Sequence, residues 1–219
     1  MDTDVQDMTR KAFFNERADT WLDKFYKDPE TGIHGRHSEK IEKIISSLNI
    51  EPDHKVLDVG CGSGVLVPYI LSRLSSKGRL FEVDYAEKMI TKNRKVHGDD
   101  RITFVCSDVM DLPLEIAGFN SIICFACFPH FRNQKAALGK LAGILKPNGI
   151  LTIAHLLSAK EIADHHDGES AVSRDRLPVK HEMENFCEQC GLGIMEFTDE
   201  PGRYLLSAKK AALKIKVSI

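Results

Sequence analysis

The stretch Val56-Leu57-Asp58-Val59-Gly60-Cys61-Gly62-Ser63-Gly64 limits the fold more than any other part of the chain. Val56, Leu57 and Val59 make a short apolar run that reads as a buried strand. Three glycines at every second position then forbid its continuation and supply a turn whose backbone can take positive φ and approach a ligand closely. Beyond the turn, Val67, Ile70, Leu71 and Leu74 fall at helical spacing, with Pro68 tolerable because it stands near the helix start. A strand, a glycine turn and a helix in succession describe the first unit of an open α/β sheet. In such sheets ligands bind at the carboxyl ends of the strands.

The alternation continues down the chain. Residues 79–83, 102–105, 121–125 and 150–154 read as further strands, the run at 121–125 being apolar throughout as a strand buried on both faces should be. Residues 86–95 and the set Leu138, Leu141, Ala142 and Leu145 read as helices, and Lys146-Pro147-Asn148-Gly149 as a turn. Repeated β-α-β units require a parallel sheet with helices on both faces. The chain then changes character. Residues 194–197 and 204–208 are two strand-like runs joined across Pro201-Gly202, and so short a link joins only antiparallel strands. Residues 1–50 carry the amphipathic sets Ala18, Trp21, Leu22, Phe25 and Ile41, Ile44, Ile45, Leu48, separated by a loop around Asp28-Pro29. The expected architecture is a Rossmann-like fold: a seven-stranded, mostly parallel sheet ending in an antiparallel hairpin, behind an N-terminal helical cap. Residues 51–219 form the core and 1–50 the cap of one structural domain.

Spacing discriminates between cofactors. A dinucleotide turn reads G-x-G-x-x-G. Counted from Gly60 its third glycine falls on Val65, and counted from Gly62 on Val67. The chain instead has G-x-G-x-G preceded by Asp58, a negative charge that suits an ammonium group better than a pyrophosphate. Asp84 ends the second strand 20 residues beyond Gly64, the separation at which a carboxylate grips ribose hydroxyls.

With these residues the chain resembles the class I methyltransferases that use S-adenosylmethionine, and within them the UbiE-like group acting on small molecules. The matching segments are VLDVGCGSG (56–64), FEVDYAEKMI (81–90), FVCSDVMDLP (104–113), FNSIICFACFPHF (119–131) and LAGILKPNGILTIAH (141–155), in the family's order. The resemblance implies roles. Asp58 with Gly60, Cys61, Gly62 and Gly64 would hold the methionine part of S-adenosylmethionine. Asp84 would bind the ribose hydroxyls, with Tyr85 and Met89 beside it. Asp108 would accept from the adenine amino group next to Val109, and Phe125 or Ala126 would line the wall near the sulfonium. Asn120 stands where the family often has Asp. The N-terminal segment, with Phe13, Phe14, Trp21 and Tyr26, resembles a lid that closes the pocket and excludes water.

The acceptor side is less determined. Methyl transfer needs alignment first, and a general base only when the acceptor must lose a proton. His130 and His155 follow adjacent strands on the cofactor edge and are the candidate catalytic residues, with Cys127, His165 and His166 nearby in sequence. The polar stretch 161–177 is expected to form the other pocket wall. No metal is expected. Cys124-x-x-Cys127 sits in a buried strand, and Cys187 and Cys190 share a helical stripe with Met183 and Phe186, ordinary places for core cysteines.

Charge narrows the partners. Lys and Arg number 30 against 32 Asp and Glu, a net charge of −2, which argues against a nucleic-acid substrate. No apolar run reaches bilayer length, and the acidic start is unlike a secretory leader. The expectation is a cytoplasmic monomer or homodimer acting on a small molecule without stable membrane association. The competing readings are a non-catalytic module of the same fold and, disfavoured by the glycine spacing, a nicotinamide-dependent oxidoreductase.

Overall fold

The computed structural model describes residues 3–32 and 35–212; residues 213–219 of the expected core lie outside the described residues. Seven strands form one sheet: β1 (Lys55–Val59), β2 (Arg79–Asp84), β3 (Ile102–Cys106), β4 (Phe119–Phe125), β5 (Leu145–His155), β6 (Leu192–Glu200) and β7 (Arg203–Lys210), in spatial order β3-β2-β1-β4-β5-β7-β6. β1 through β5 pair in parallel, and β7 runs antiparallel to both β5 and β6. The Rossmann-like sheet with its terminal hairpin is therefore present. The order reverses between β1 and β4, so a crevice opens at their carboxyl ends.

Eight helices surround the sheet: α1 (Thr3–Arg17), α2 (Trp21–Tyr26), α3 (Ser38–Ser46), α4 (Val67–Leu71), α5 (Glu87–Val96), α6 (Gln134–Ile144), α7 (Ala159–His166) and α8 (Lys180–Gln189). On one face α3 buries Ile41, Ile44 and Ile45, in one cluster with Val56, Leu80 and Ile123 of the strands. On the other, Leu138 and Leu141 of α6 and Met183 and Cys187 of α8 join Leu57, Ile122 and Ile153. Each fully buried aliphatic side chain is worth about 1.5–3 kcal/mol, so the strand ends that carry the site rest on two dry cores.

Two elements differ from the sequence expectation. β5 starts at Leu145, and the turn falls inside it: pairing with β4 jumps from Phe119↔Leu145 to Ser121↔Ile150, and Asn148 takes φ 63° in the extruded segment. The polar stretch after residue 158 opens with helix α7. Its start is a capping box in which the Glu161 N–H donates to the Ser158 hydroxyl and the Ser158 N–H donates to the Glu161 carboxylate, at 3.3 and 2.8 Å. No helix among the described residues is long and apolar enough to cross a membrane.

Candidate active site

A cavity of about 380 Å³ opens at the reversal point. Its floor is the turn after β1. The Gly60 and Cys61 N–H groups both donate to the Val83 carbonyl, at 2.7 and 3.0 Å, which locks the turn against β2. Gly60 has φ 66°, and a Cβ there would lie 2.4 Å from the Cys127 Cβ. Gly64 has φ 87°, and its Cβ would lie 2.4 Å from Asn93 Oδ1. Close approach therefore demands glycine at both positions. Gly60, Cys61 and Gly62 line the cavity; Gly64 faces away and supports the turn through α5. Opposite the turn, Phe125 and Ala126 close the wall, Ala126 at φ 56°, a left-handed conformation uncommon outside glycine.

The sheet register puts Asp58 of β1 beside Glu82 of β2, with Asp84 two residues further on. All three are buried. Asp84 accepts from the Gly62 and Ala86 N–H groups at 2.9 and 2.8 Å. Backbone donors thus use part of a carboxylate's roughly four acceptor positions, and the rest remain. Burial, partly offset by these donors, raises its carboxyl to about 6. Glu82 accepts from Asn93 Nδ2 at 2.7 Å and is pushed up to about 8, again by burial first. Asp58 has no hydrogen-bond partner on either oxygen among the described residues, and burial followed by the nearby Glu82 holds its carboxyl well above the usual range. An ionised carboxylate left this way is costly; a bound cation would relieve the cost. Asp108 also lines the cavity, and it caps the turn that follows it: Oδ1 accepts from the Met110 N–H at 2.8 Å. Val109, Tyr85 and Met89 are beside it on the wall.

The roof comes from the N-terminus. Asp7, Arg10 and Phe14 of α1 and Trp21, Leu22 and Tyr26 of α2 all face the cavity. Phe14 packs edge-on against Trp21, Tyr85 and His130, so one ring spans the roof, the β2 edge and the acceptor side.

His130 lines the cavity after β4. Its Nδ1 lies 2.8 Å from Oδ2 of Asp175. Arg10 donates to the same carboxylate from Nε and Nη2, at 2.8 and 2.6 Å, and from Nη1 to Asp7 at 2.9 Å. Burial alone would raise Asp175, but His130 and Arg10 hold it below the usual carboxylate range. Arg10 and Asp175 belong to segments 165 residues apart and do not stand out from the sequence; only the fold joins them. The polar composition of 161–177 was the one signal of Asp175, and Arg10 had none.

His155 corrects the expected histidine pair. It is not on the cavity wall. Its Nδ1 is shut off from solvent without a partner, and burial, with His130 and His166 adding to it, drives its pKa down to about 3. A group so held neutral packs behind the site. All six cysteines are free thiols, Cys124, Cys127 and Cys187 being buried, and among the described residues no group of three His, Cys, Asp or Glu side chains is arranged to hold a metal.

Residues 57–153 match the family described as a methyltransferase domain. The methyltransferase GfsG of Streptomyces halstedii is 26% identical over 82% of this chain and 66% of its own length. The malonyl-[acyl-carrier protein] O-methyltransferase of Priestia megaterium is 27% identical over 64% of this chain and 48% of its own. The chain thus spans about half to two thirds of the length of the curated relatives it matches. Among solved structures, a complex of the Haloferax volcanii Trm112 methyltransferase activator with a methyltransferase aligns at TM-score 0.74 and 20% identity, covering 90% of this chain and 97% of the other. The magnesium protoporphyrin IX methyltransferase of Synechocystis, solved with bound SAH, aligns at 0.70 and 16%, covering 94% and 100%. By matched domain, strand order and relatives, residues 57–153 are a methyltransferase domain, and the chain as a whole is similar to the class I S-adenosylmethionine-dependent methyltransferases.

Proposed function

We propose that the chain transfers a methyl group from S-adenosylmethionine to a small-molecule acceptor, as in the UbiE-like group its motifs resemble. The observation that carries the reading is Asp58: two buried, unpartnered carboxylate oxygens beside a glycine turn, in a cavity that also presents Asp84 and Asp108. That donor set fits the cofactor group by group. Asp58 would meet the ammonium, with Gly60, Cys61 and Gly62 admitting the methionine backbone. Asp84 would accept from the ribose hydroxyls, and Asp108 from the adenine amino group, with Val109, Tyr85 and Met89 about the rings and Phe125 near the sulfonium. Gly64 would act from behind, by shaping the turn. When bound, the cofactor supplies an electrophilic methyl group.

The chain's own residues do the rest. α1 and α2 serve as a lid that keeps water from the cavity. A hydrogen bond to Asp175 needs the proton of His130 on Nδ1, which leaves Nε2 with a free lone pair. Nε2 can then take a proton from an acceptor hydroxyl or amine as it is methylated, while Asp175 steadies the imidazolium. The enclosed cavity suits a small molecule better than a macromolecule. The six free thiols accord with a reducing, cytoplasmic setting.

Calorimetric titration with S-adenosylmethionine, S-adenosylhomocysteine and NAD tests the reading, with Asp84→Ala as control. Binding of the first two, lost in the variant, is expected. Binding of NAD alone, or of nothing, would overturn it.

A further inference from the structure

We propose that the methyl acceptor is an anion whose carboxylate or phosphate docks in a second cavity beside the first; this rests on the methyltransferase reading above. The second cavity measures about 400 Å³ and shares Asp7, Arg10, Phe131, Arg132 and Asn133 with the first as a common wall. The two are of opposite sign. Five aspartates against two arginines line the cofactor cavity, which suits a cationic sulfonium and ammonium. The second is lined by five cations, Arg10, Arg132, Lys135, Arg174 and Arg176, against two carboxylates. The chain as a whole carries a charge of −2, so this basic character is a local arrangement and not a reflection of composition.

Its two carboxylates are already engaged. Asp175 is taken by Arg10 and His130, and Asp7 by Arg10 and Arg132. The outer cations have weaker claims on them. Lys135 and Arg174 make no ion pair among the described residues, and Arg176 stands 3.7 Å from Glu182. An incoming oxyanion therefore meets positive charge that the protein leaves largely uncompensated. Such a field also steers charged ligands toward a site.

Volume points the same way. A cavity of about 380 Å³ is near the lower end of the ~300–1,000 Å³ typical of small-molecule sites. A nucleoside-sized cofactor would take up a large part of it, which favours an acceptor that reaches into the neighbouring space. His130 lines the first cavity, and its partner Asp175 lines the second. An acceptor anchored by its anion in the second cavity and reaching across the shared wall would bring its nucleophilic atom to His130.

The test is calorimetric titration of the protein saturated with S-adenosylhomocysteine. The probes are inorganic phosphate, benzoate and neutral benzamide, each against wild type and the double variant Lys135→Glu, Arg174→Glu. Both residues are exposed, so the fold should tolerate the change. One or both anions should bind and benzamide should not; which anion binds tells phosphate from carboxylate. The double variant should bind that anion roughly tenfold more weakly, with S-adenosylhomocysteine affinity unchanged, and added salt should weaken the wild type toward the variant. Equal binding of benzoate and benzamide, no binding of either anion, or anion binding indifferent to the charge reversal would overturn the proposal. Failure to bind S-adenosylhomocysteine itself would instead strike the methyltransferase reading.

Discussion

Arg10→Ala removes the most buried ion pair between helix α1 and the His130 side of the cavity. Arg10 and Asp175 meet through two hydrogen bonds of 2.8 and 2.6 Å, with side chains 6% and 5% exposed. Breaking a buried ion pair by deleting one partner costs about 3–5 kcal/mol, because the other charge is left buried. Two features lower the figure here. His130 remains as a partner for Asp175, and α1 can relax locally, since its other polar ties, Lys11 and Asn15 to Glu87, the Lys88 N–H to Asn15, Arg17 to Glu169 and Asp7 to Arg132, are more exposed. We therefore expect a loss of about 2–3 kcal/mol, which for a domain of this size lowers the melting temperature by roughly 4–12 °C. The assay is urea denaturation of wild type, Arg10→Ala, Asp175→Asn and the double variant at pH 7, with amide exchange read along α1. If the pair acts as described, the single losses overlap by about 1.5–3 kcal/mol. Additivity within about 0.5 kcal/mol would refute the argument, as would unchanged exchange in α1. The pH dependence has a definite sign. The folded-state pKa of Asp175 is depressed, so its contribution is complete above the ordinary carboxylate value of about 3.9 and is lost as pH falls further. Arg10→Ala should reduce that part of the acid sensitivity, leaving the share that His130 supplies.

Three further expectations concern stability in the absence of cofactor. Glu82 is raised in the folded protein to about 8, so the stability it contributes is complete below the ordinary Glu value and is lost as pH rises toward 8. Glu82→Gln, which keeps an acceptor for Asn93, should match wild type near pH 4.5 and exceed it by about 4 kcal/mol at pH 8 in denaturant melts; a difference that does not change with pH would be against it. His155 is lowered to about 3, so its contribution is complete above the ordinary His value and declines as pH falls below it, by about 2 kcal/mol between pH 6.5 and 5. His155→Leu should remove that slope while leaving S-adenosylhomocysteine affinity intact, and an intact slope would put the histidine elsewhere. Gly60→Ala places a Cβ 2.4 Å from the Cys127 Cβ at φ 66° and should cost at least about 2 kcal/mol in thermal melts; Cys127→Ala, which removes only the Sγ at 2.8 Å and keeps the Cβ, should recover little of that cost in the double variant and none of the φ strain.

The parts of the site that were legible in the sequence are those that one local segment builds by itself. A strand ending in Asp58 and running into alternating glycines can only form a turn at a sheet edge, and that turn dictates where its neighbours stand. The strand order then follows from right-handed crossovers, which bring Asp84 and Asp108 to the same edge from their own strand ends. The terminal hairpin was legible for the same reason, since Pro201-Gly202 leaves no room for a crossover. Helix α7 was legible in principle: Ser158 and Glu161 have the spacing of a capping box, but the polar residues after them hid its short apolar face, of which Ile162 is buried.

What the sequence hid is whatever needs two distant segments to meet. His130 and His155 follow neighbouring strands, and the strand-end rule treats them alike. The structure separates them because β4 gives way to a tight turn that leaves His130 on the cavity wall, while β5 ends at His155 with its Nδ1 shut off from solvent and off that wall. Asp175 shows the same limit from the other side. In sequence it is one acid in a polar loop flanked by Arg174 and Arg176, where a surface role would be the ordinary reading. In the fold it is buried between a guanidinium from the lid and an imidazole from the site. With α1 in place both carboxylate oxygens are paired, Oδ1 and Oδ2 with Arg10 and Oδ2 also with His130, and the bond to His130 fixes which ring nitrogen faces it. Under the proposed function, the same carboxylate therefore ties the position of α1 to the orientation of His130, and it lies on the wall of the basic cavity proposed to receive an anionic acceptor.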